Sequence, residues 1–113
     1  MIVIAGWIDV EPEVRDALVS ESMSLQQSTR DEEAGCNGYV FAADPVDPAR
    51  IHVFEEWESA EALEAHFQHP NFAAMGALLR QYPRRGSQTL KYRVDVTAPV
   101  RNADGVATAH FTS

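Results

Sequence analysis

The chain has 113 residues, of which 17 are acidic and nine basic, for a formal net charge of -8. A single domain of that length buries roughly two-thirds of the surface its unfolded chain exposes, and a composition of 45% hydrophobic and 23% charged residues excludes a disordered or fibrous protein. The acidity argues against nucleic acid or an anionic membrane as a partner, since either needs a broad positive field, although five of the nine basic residues (Arg80, Arg84, Arg85, Lys91 and Arg93) share a stretch without one acidic residue.

The opening run Ile2-Val3-Ile4-Ala5-Gly6-Trp7-Ile8 reads as a strand with two apolar faces, Ile2, Ile4 and Ile8 on one and Val3, Ala5 and Trp7 on the other. It is too short to cross a bilayer and carries no basic leader, so a cytoplasmic protein is expected. Pro12 suits a first helical turn. Val14, Leu18, Ser22, Leu25 and Thr29 then recur at helical spacing, with Arg15, Asp16, Glu21 and Gln26 expected to point elsewhere, and Gly35 is expected to end the helix as a left-handed cap. Cys36 to Ala43 is a second strand, with Tyr39 and Phe41 on one face. Cys36, the only cysteine, excludes an intramolecular disulfide and a multi-cysteine zinc site. Asp44-Pro45-Val46-Asp47-Pro48 is turn chemistry, and Arg50 to Trp57 is a third strand that closes an antiparallel hairpin. Ser59 can cap a second helix whose buried stripe is Leu63 and Phe67. His69-Pro70 breaks it and starts a third helical piece with Phe72, Met75, Leu79 and Tyr82 at helical spacing, ended by Pro83 and Gly86. A last strand is expected from Gln88 to Val96, with Leu90, Tyr92, Val94 and Val96 alternating against Lys91, Arg93 and Asp95.

This order predicts an α+β fold, a ferredoxin-like β-α-β-β-α-β antiparallel sheet over residues 1–97 with the helices on one face. Residues 98–113 are a weakly patterned tail, read as an extra strand or an arm that contacts a partner subunit. Because the first strand is apolar on both faces while helices cover one, a second chain packed sheet to sheet is the economical cover, and a homodimer is expected.

The most informative stretch runs from Phe54 to Phe72. A strand ends in Phe54-Glu55-Glu56-Trp57, a capped helix follows, His66 stands nine residues after Trp57, and His69-Pro70-Asn71-Phe72 breaks the helix. This resembles the antibiotic biosynthesis monooxygenase family of small dimeric α+β barrel proteins, which includes quinol and anthrone monooxygenases. The resemblance implies a pocket between sheet and helices. It also implies oxidation of a phenolic, quinol or anthrone-type aromatic by molecular oxygen with no cofactor: no metal, flavin or haem. Such chemistry needs aromatic walls, a base, hydrogen-bond donors for a developing oxyanion, and exclusion of bulk water.

His66, at the edge of the buried stripe, is the candidate base. The bland reading makes it a structural histidine bonding a strand carboxylate or backbone. Glu55 shares a strand face with Trp57, Val53 and Ile51, and a carboxylate in an apolar row needs a partner, for which His66 is the natural choice. Trp57 is expected to be core as well as site. His52 lies on the opposite face with Phe54 and Glu56, facing an interface, solvent or substrate. Phe67, Phe72, Met75, Tyr39 and Phe41 can wall an aromatic pocket, and Tyr82 or Tyr92 can donate to a substrate oxygen. His69 is expected to start a helix.

A haem-binding relative of this fold would carry an Asn on the first strand and a haem-ligating His after Phe72. Trp7 and Ala73-Ala74-Met75-Gly76-Ala77 stand there instead. No other metal set has suitable spacing. Two alternatives share the fold: an isomerase acting on a small hydroxyketone phosphate, which would give the basic stretch a role, and a non-catalytic dimer that binds a ligand. In the bland reading, the basic stretch balances the acidic helices.

Overall fold

The computed structural model describes residues 1–111. The elements are β1 (Ile2–Val10), α1 (Pro12–Glu32), β2 (Cys36–Ala43), β3 (Arg50–Trp57), α2 (Ala60–Gln68), α3 (Pro70–Arg80) and β4 (Arg84–Arg93). The four strands form one antiparallel sheet in the order β2-β3-β1-β4. This is the ferredoxin-like arrangement, with its second helical crossover split into α2 and α3 at His69-Pro70. Proline cannot continue the ladder of α2, yet it fits the first turn of α3.

Ile8 and Val10 of β1, Ile51, Val53 and Trp57 of β3, and Tyr39 and Phe41 of β2 face the helices and form the core with Leu18, Leu63, Met75 and Leu79. The other face carries Val40, Phe54, Leu90 and Tyr92, each more than a third exposed. The two-faced reading of β1 is thus correct in its alternation, and within one chain only the helix side is covered.

Three expectations are corrected. The last strand begins at Arg84, not Gln88, and ends at Arg93, not Val96. Its start pairs with the end of β1 across a register shift between Asp9 and Val10, so Gly86 lies inside the strand. Beyond it Val94 N–H still donates to Met1 O at 2.9 Å. Gln26, expected to point outward, is buried. It accepts from Phe41 N–H at 3.1 Å and donates to Phe41 O at 2.9 Å, while Arg30 donates to Tyr39 O at 2.8 Å. These bonds satisfy the outward backbone groups of edge strand β2 and protect it from pairing with another chain. Gly35 does adopt a positive φ of 82°, but it follows a cap made by Glu33, whose N–H donates to Thr29 O.

The tail expected at 98–113 falls within the described residues as far as Phe111, and Thr112 and Ser113 lie outside them. It folds on itself through a bridge between Arg101 and Ala107 and leaves Val100, Val106 and Phe111 exposed.

Candidate active site

The site begins at the end of α1. Gly35 turns the chain sharply and passes so close to α2 that a Cβ there would lie 2.6 Å from the Ala62 Cβ. That approach brings the Glu33 side chain beneath the α2–α3 junction. α2 is started by Ser59, whose hydroxyl accepts from Ala62 N–H at 3.1 Å, and its inward positions are Leu63 and His66. His66 is therefore in the buried stripe, not at its edge, and Phe67, expected in that stripe, forms the rim at 37% exposure.

Glu33 accepts a 2.7 Å hydrogen bond from His66 Nδ1 and a 3.1 Å bond from Asn71 Nδ2. The His66 and Glu33 side chains are 1% and 4% exposed. With a carboxylate as acceptor, Nδ1 carries the proton, and Nε2 is the basic nitrogen of the neutral ring. Among the described residues Nε2 makes no hydrogen bond. The expected partner of His66 was Glu55. The structure assigns Glu55 a different one: Trp57 Nε1–H donates to its Oε1 at 3.0 Å. Burial pushes the Glu55 carboxyl above its ordinary value, an effect partly offset by the Trp57 bond. Side chains two apart on a strand share a face, so Trp57 reaches Glu55 directly.

Aromatic rings enclose His66. Trp57 lies against it at a 31° tilt, with centroids 4.5 Å apart, and Phe72, Tyr39 and Phe67 stand at 5.4, 5.5 and 5.9 Å. His66 lines a cavity of about 310 Å³ with Tyr39, Phe67, Phe72 and Met75. A larger cavity of about 520 Å³ adjoins it between the sheet and α3, and Phe41, Glu55, Phe72 and Arg84 line both. These volumes suit a small aromatic ligand. Tyr39 is almost wholly buried, and its hydroxyl makes no hydrogen bond among the described residues. Burial also pushes its phenol far above the usual range, so it stays a hydrogen-bond donor.

The structure thus brings His66, Glu55, Trp57, Phe67, Phe72 and Met75 together. It does not bring in three others. Tyr92 is paired with Val3 on the outer face. His52 is on that face too, bonded through Nε2 to Asp44 at 2.6 Å. Tyr82 donates to Glu21 at 2.8 Å, outside both cavities. Tyr39, expected only as a wall, holds the available phenolic donor. Glu33 carries no signal of its role in the sequence: it sits in the run Asp31-Glu32-Glu33, which looks like a solvated helix end.

His69 starts α3, its Nδ1 accepting from Asn71 N–H at 3.0 Å. Among the described residues no group of three His, Cys, Asp or Glu side chains is arranged to hold a metal ion, and no helix is long and apolar enough to cross a membrane.

A ferredoxin-like sheet covered on one face by a long helix and two short ones, with an aromatic cavity beside the junction of the short pair, defines a class, and the family model for antibiotic biosynthesis monooxygenases matches residues 1–78. The chain belongs to that family. It is 33% identical over 88 residues to YcnE of Bacillus subtilis, a candidate monooxygenase, covering 74% of this chain and 90% of that one. It is also 35% identical over 71 residues to the uncharacterised protein sll1783 of Synechocystis, covering 63% of this chain and 48% of that protein, so the match spans about half of that protein's length. Among solved structures, a candidate antibiotic biosynthesis monooxygenase from Deinococcus radiodurans superposes with a TM-score of 0.79 at 20% identity, over 90% of this chain and 100% of that one. A likeness at that identity speaks for the fold.

Proposed function

We propose that the protein is a cofactor-independent monooxygenase that oxidises a phenolic, quinol or anthrone-type aromatic with molecular oxygen, using His66 as the base. The observation that carries this reading is the environment of His66. Its ring is packed among aromatic groups, Nδ1 is tied to Glu33, and Nε2 is left available to the cavity that the ring lines. A base held in one orientation against an aromatic-walled pocket is what proton abstraction from a polycyclic phenol or anthrone requires.

Ground-state dioxygen is a triplet, so its direct reaction with a closed-shell substrate is slow. An anion can pass it one electron. In the proposed sequence Nε2 takes the acidic proton of an anthrone-type methylene, and Glu33 stabilises the imidazolium. The Tyr39 hydroxyl donates to the substrate oxygen on which charge collects. Electron transfer to dioxygen and collapse of the radical pair place a peroxide on the methylene carbon, and loss of water leaves a carbonyl. One oxygen atom enters the product and the other leaves as water. The methylene supplies all four electrons, so no external reductant is needed. Trp57 fixes the plane of the imidazole, and Glu55 holds Trp57, which makes both positioning residues.

The same reading includes a homodimer, with a second copy covering the outer face around Phe54, Leu90 and Tyr92 and the tail acting as an arm across it. The support is the exposed apolar character of that face and of the tail.

Oxygen uptake with a panel of quinols and anthrones tests the function. His66→Asn is the informative variant, because an Asn amide can still donate to Glu33 but cannot act as a base. Uptake by the wild type and its loss in the variant supports the reading. Equal turnover removes His66 from the mechanism. Ligand binding with no uptake would favour the binding-protein alternative, and oxygen-independent isomerisation of a hydroxyketone phosphate the isomerase.

A further inference from the structure

The mouth of the larger cavity is cationic in a chain that is acidic overall. Arg84 lines both cavities and Lys91 the larger one. Both project from the helix side of β4: Lys91 pairs with Ile4 and Arg84 with Val10, whose side chains face the core side. Between them on that side stand Ser87 and Thr89, which also line the cavity. β4 is an edge strand with no fully buried residue, so this row borders the opening.

Neither cation has an ion-pair partner among the described residues. The chain's ion pairs use Arg15, Arg50, His52, His66 and His69 instead. Seven of the nine basic residues form no ion pair among the described residues, and what sets Arg84 and Lys91 apart is that both stand on this one cavity. The carboxylate on the cavity wall, Glu55, is held by Trp57 and does not reach them. The far wall is aromatic, built by Phe67 and Phe72. The cavity is therefore polar and positive at one end and flat and apolar at the other.

We propose that the substrate of this site is an aromatic bearing an anionic group, a carboxylate or a phosphate, which Arg84 and Lys91 bind at the cavity mouth while the rings lie against Phe67 and Phe72. The inference rests on the aromatic-substrate reading above and adds the charge. A guanidinium can grip such a group through two parallel hydrogen bonds, and an ammonium adds a point charge. An acidic surface repels the ligand elsewhere, so the mouth also focuses its approach.

The test is calorimetric titration without oxygen, so that no turnover intrudes. The probes are two matched pairs: 1-hydroxy-2-naphthoate against its methyl ester, and 1-naphthyl phosphate against 1-naphthol. The wild type is expected to bind at least one anion about tenfold more tightly than its neutral counterpart, equivalent to ~1.4 kcal/mol. The preferred pair identifies the group. In Arg84→Gln/Lys91→Gln the preference should fall close to one, and in the wild type it should shrink with added salt. Both side chains are exposed, and an unchanged Tm confirms that the variant is folded. Equal affinities within both pairs, a preference that survives the double substitution, or no binding of any probe would overturn the proposal. Binding in the absence of oxygen is blind to oxidation. An anion preference in a protein that consumes oxygen with no substrate sinks the monooxygenase reading alone. Oxygen uptake with neutral and anionic quinols at equal kcat/KM sinks this one alone.

Discussion

Glu33→Gln probes the link on which the site depends. The Glu33 carboxylate accepts from His66 Nδ1 at 2.7 Å and from Asn71 Nδ2 at 3.1 Å, and its side chain is 4% exposed. A glutamine offers one oxygen and one NH₂, so it can satisfy one of the two donors and must turn a donor toward the other. Hydrogen bonds to a charged group contribute about 1.5–3 kcal/mol, and a buried donor left without a partner costs about 1–3 kcal/mol. A loss of about 2–3 kcal/mol is expected. At roughly 4 °C per kcal/mol for a chain of this length, Tm should fall by about 10 °C. On the proposed reaction, kcat should fall about 10²-fold, the lower end of what a positioned general base contributes. KM should move little, because Glu33 lines neither cavity. Thermal unfolding followed by circular dichroism reads the first effect, and steady-state oxygen uptake reads the second. A Tm within 2 °C of wild type together with kcat within twofold would show that Glu33 neither orients nor stabilises His66.

Three further substitutions have defined outcomes. Burial raises the Glu55 carboxyl, so the folded protein holds that proton more tightly than the unfolded chain, and wild type loses stability as pH rises from the ordinary carboxylate range through the raised value. Glu55→Gln keeps an oxygen for Trp57 and removes this loss, so Tm of the variant minus Tm of wild type should grow between pH 4 and pH 8; a flat difference contradicts the assignment. Tyr39→Phe removes the phenolic donor from the cavity and should lower kcat/KM for oxygen uptake about tenfold or more with Tm nearly unchanged, whereas a large Tm loss with normal kcat/KM would mark the hydroxyl as structural. Gln26→Leu leaves Phe41 N–H and C=O without their side-chain partner, so a loss of about 2 kcal/mol and concentration-dependent aggregation through β2 are expected in unfolding and light-scattering measurements. Wild-type stability and monodispersity would contradict that role.

Much of the fold is legible along the chain because its breaks are chemical. Pro12, Ser59 and Pro70 start helices at the places their chemistry favours, and the alternation of Tyr39 and Phe41 or Ile51 and Val53 marks the core face of the hairpin. The start of β4 was hidden for a physical reason. Its inner residues Arg84, Ser87 and Thr89 face a cavity instead of packed side chains, so no apolar alternation announces the strand. The burial of Gln26 is not legible in the sequence, because a buried amide bonding an edge strand cannot be told by residue type from a solvated one. Within the site, His66, Trp57 and Glu55 could be grouped from local spacing on one strand and the helix after it. Glu33 could not: it is 33 residues from His66, and only the close pass of Gly35 against Ala62 brings the two together. Tyr92, expected as a substrate contact, is put on the outer face by strand parity, and His52 lies on that face as its alternation with Ile51 and Val53 indicates.

Oxidation of anthrone under ¹⁸O₂ tests the central claim most directly. The wild type should convert the methylene to a carbonyl carrying one ¹⁸O atom, with one oxygen molecule consumed per product, and His66→Asn should fall to the uncatalysed rate. Product oxygen drawn from water, or labelled product formed equally fast by His66→Asn, would contradict the assignment of His66 as the base of an oxygen-inserting site.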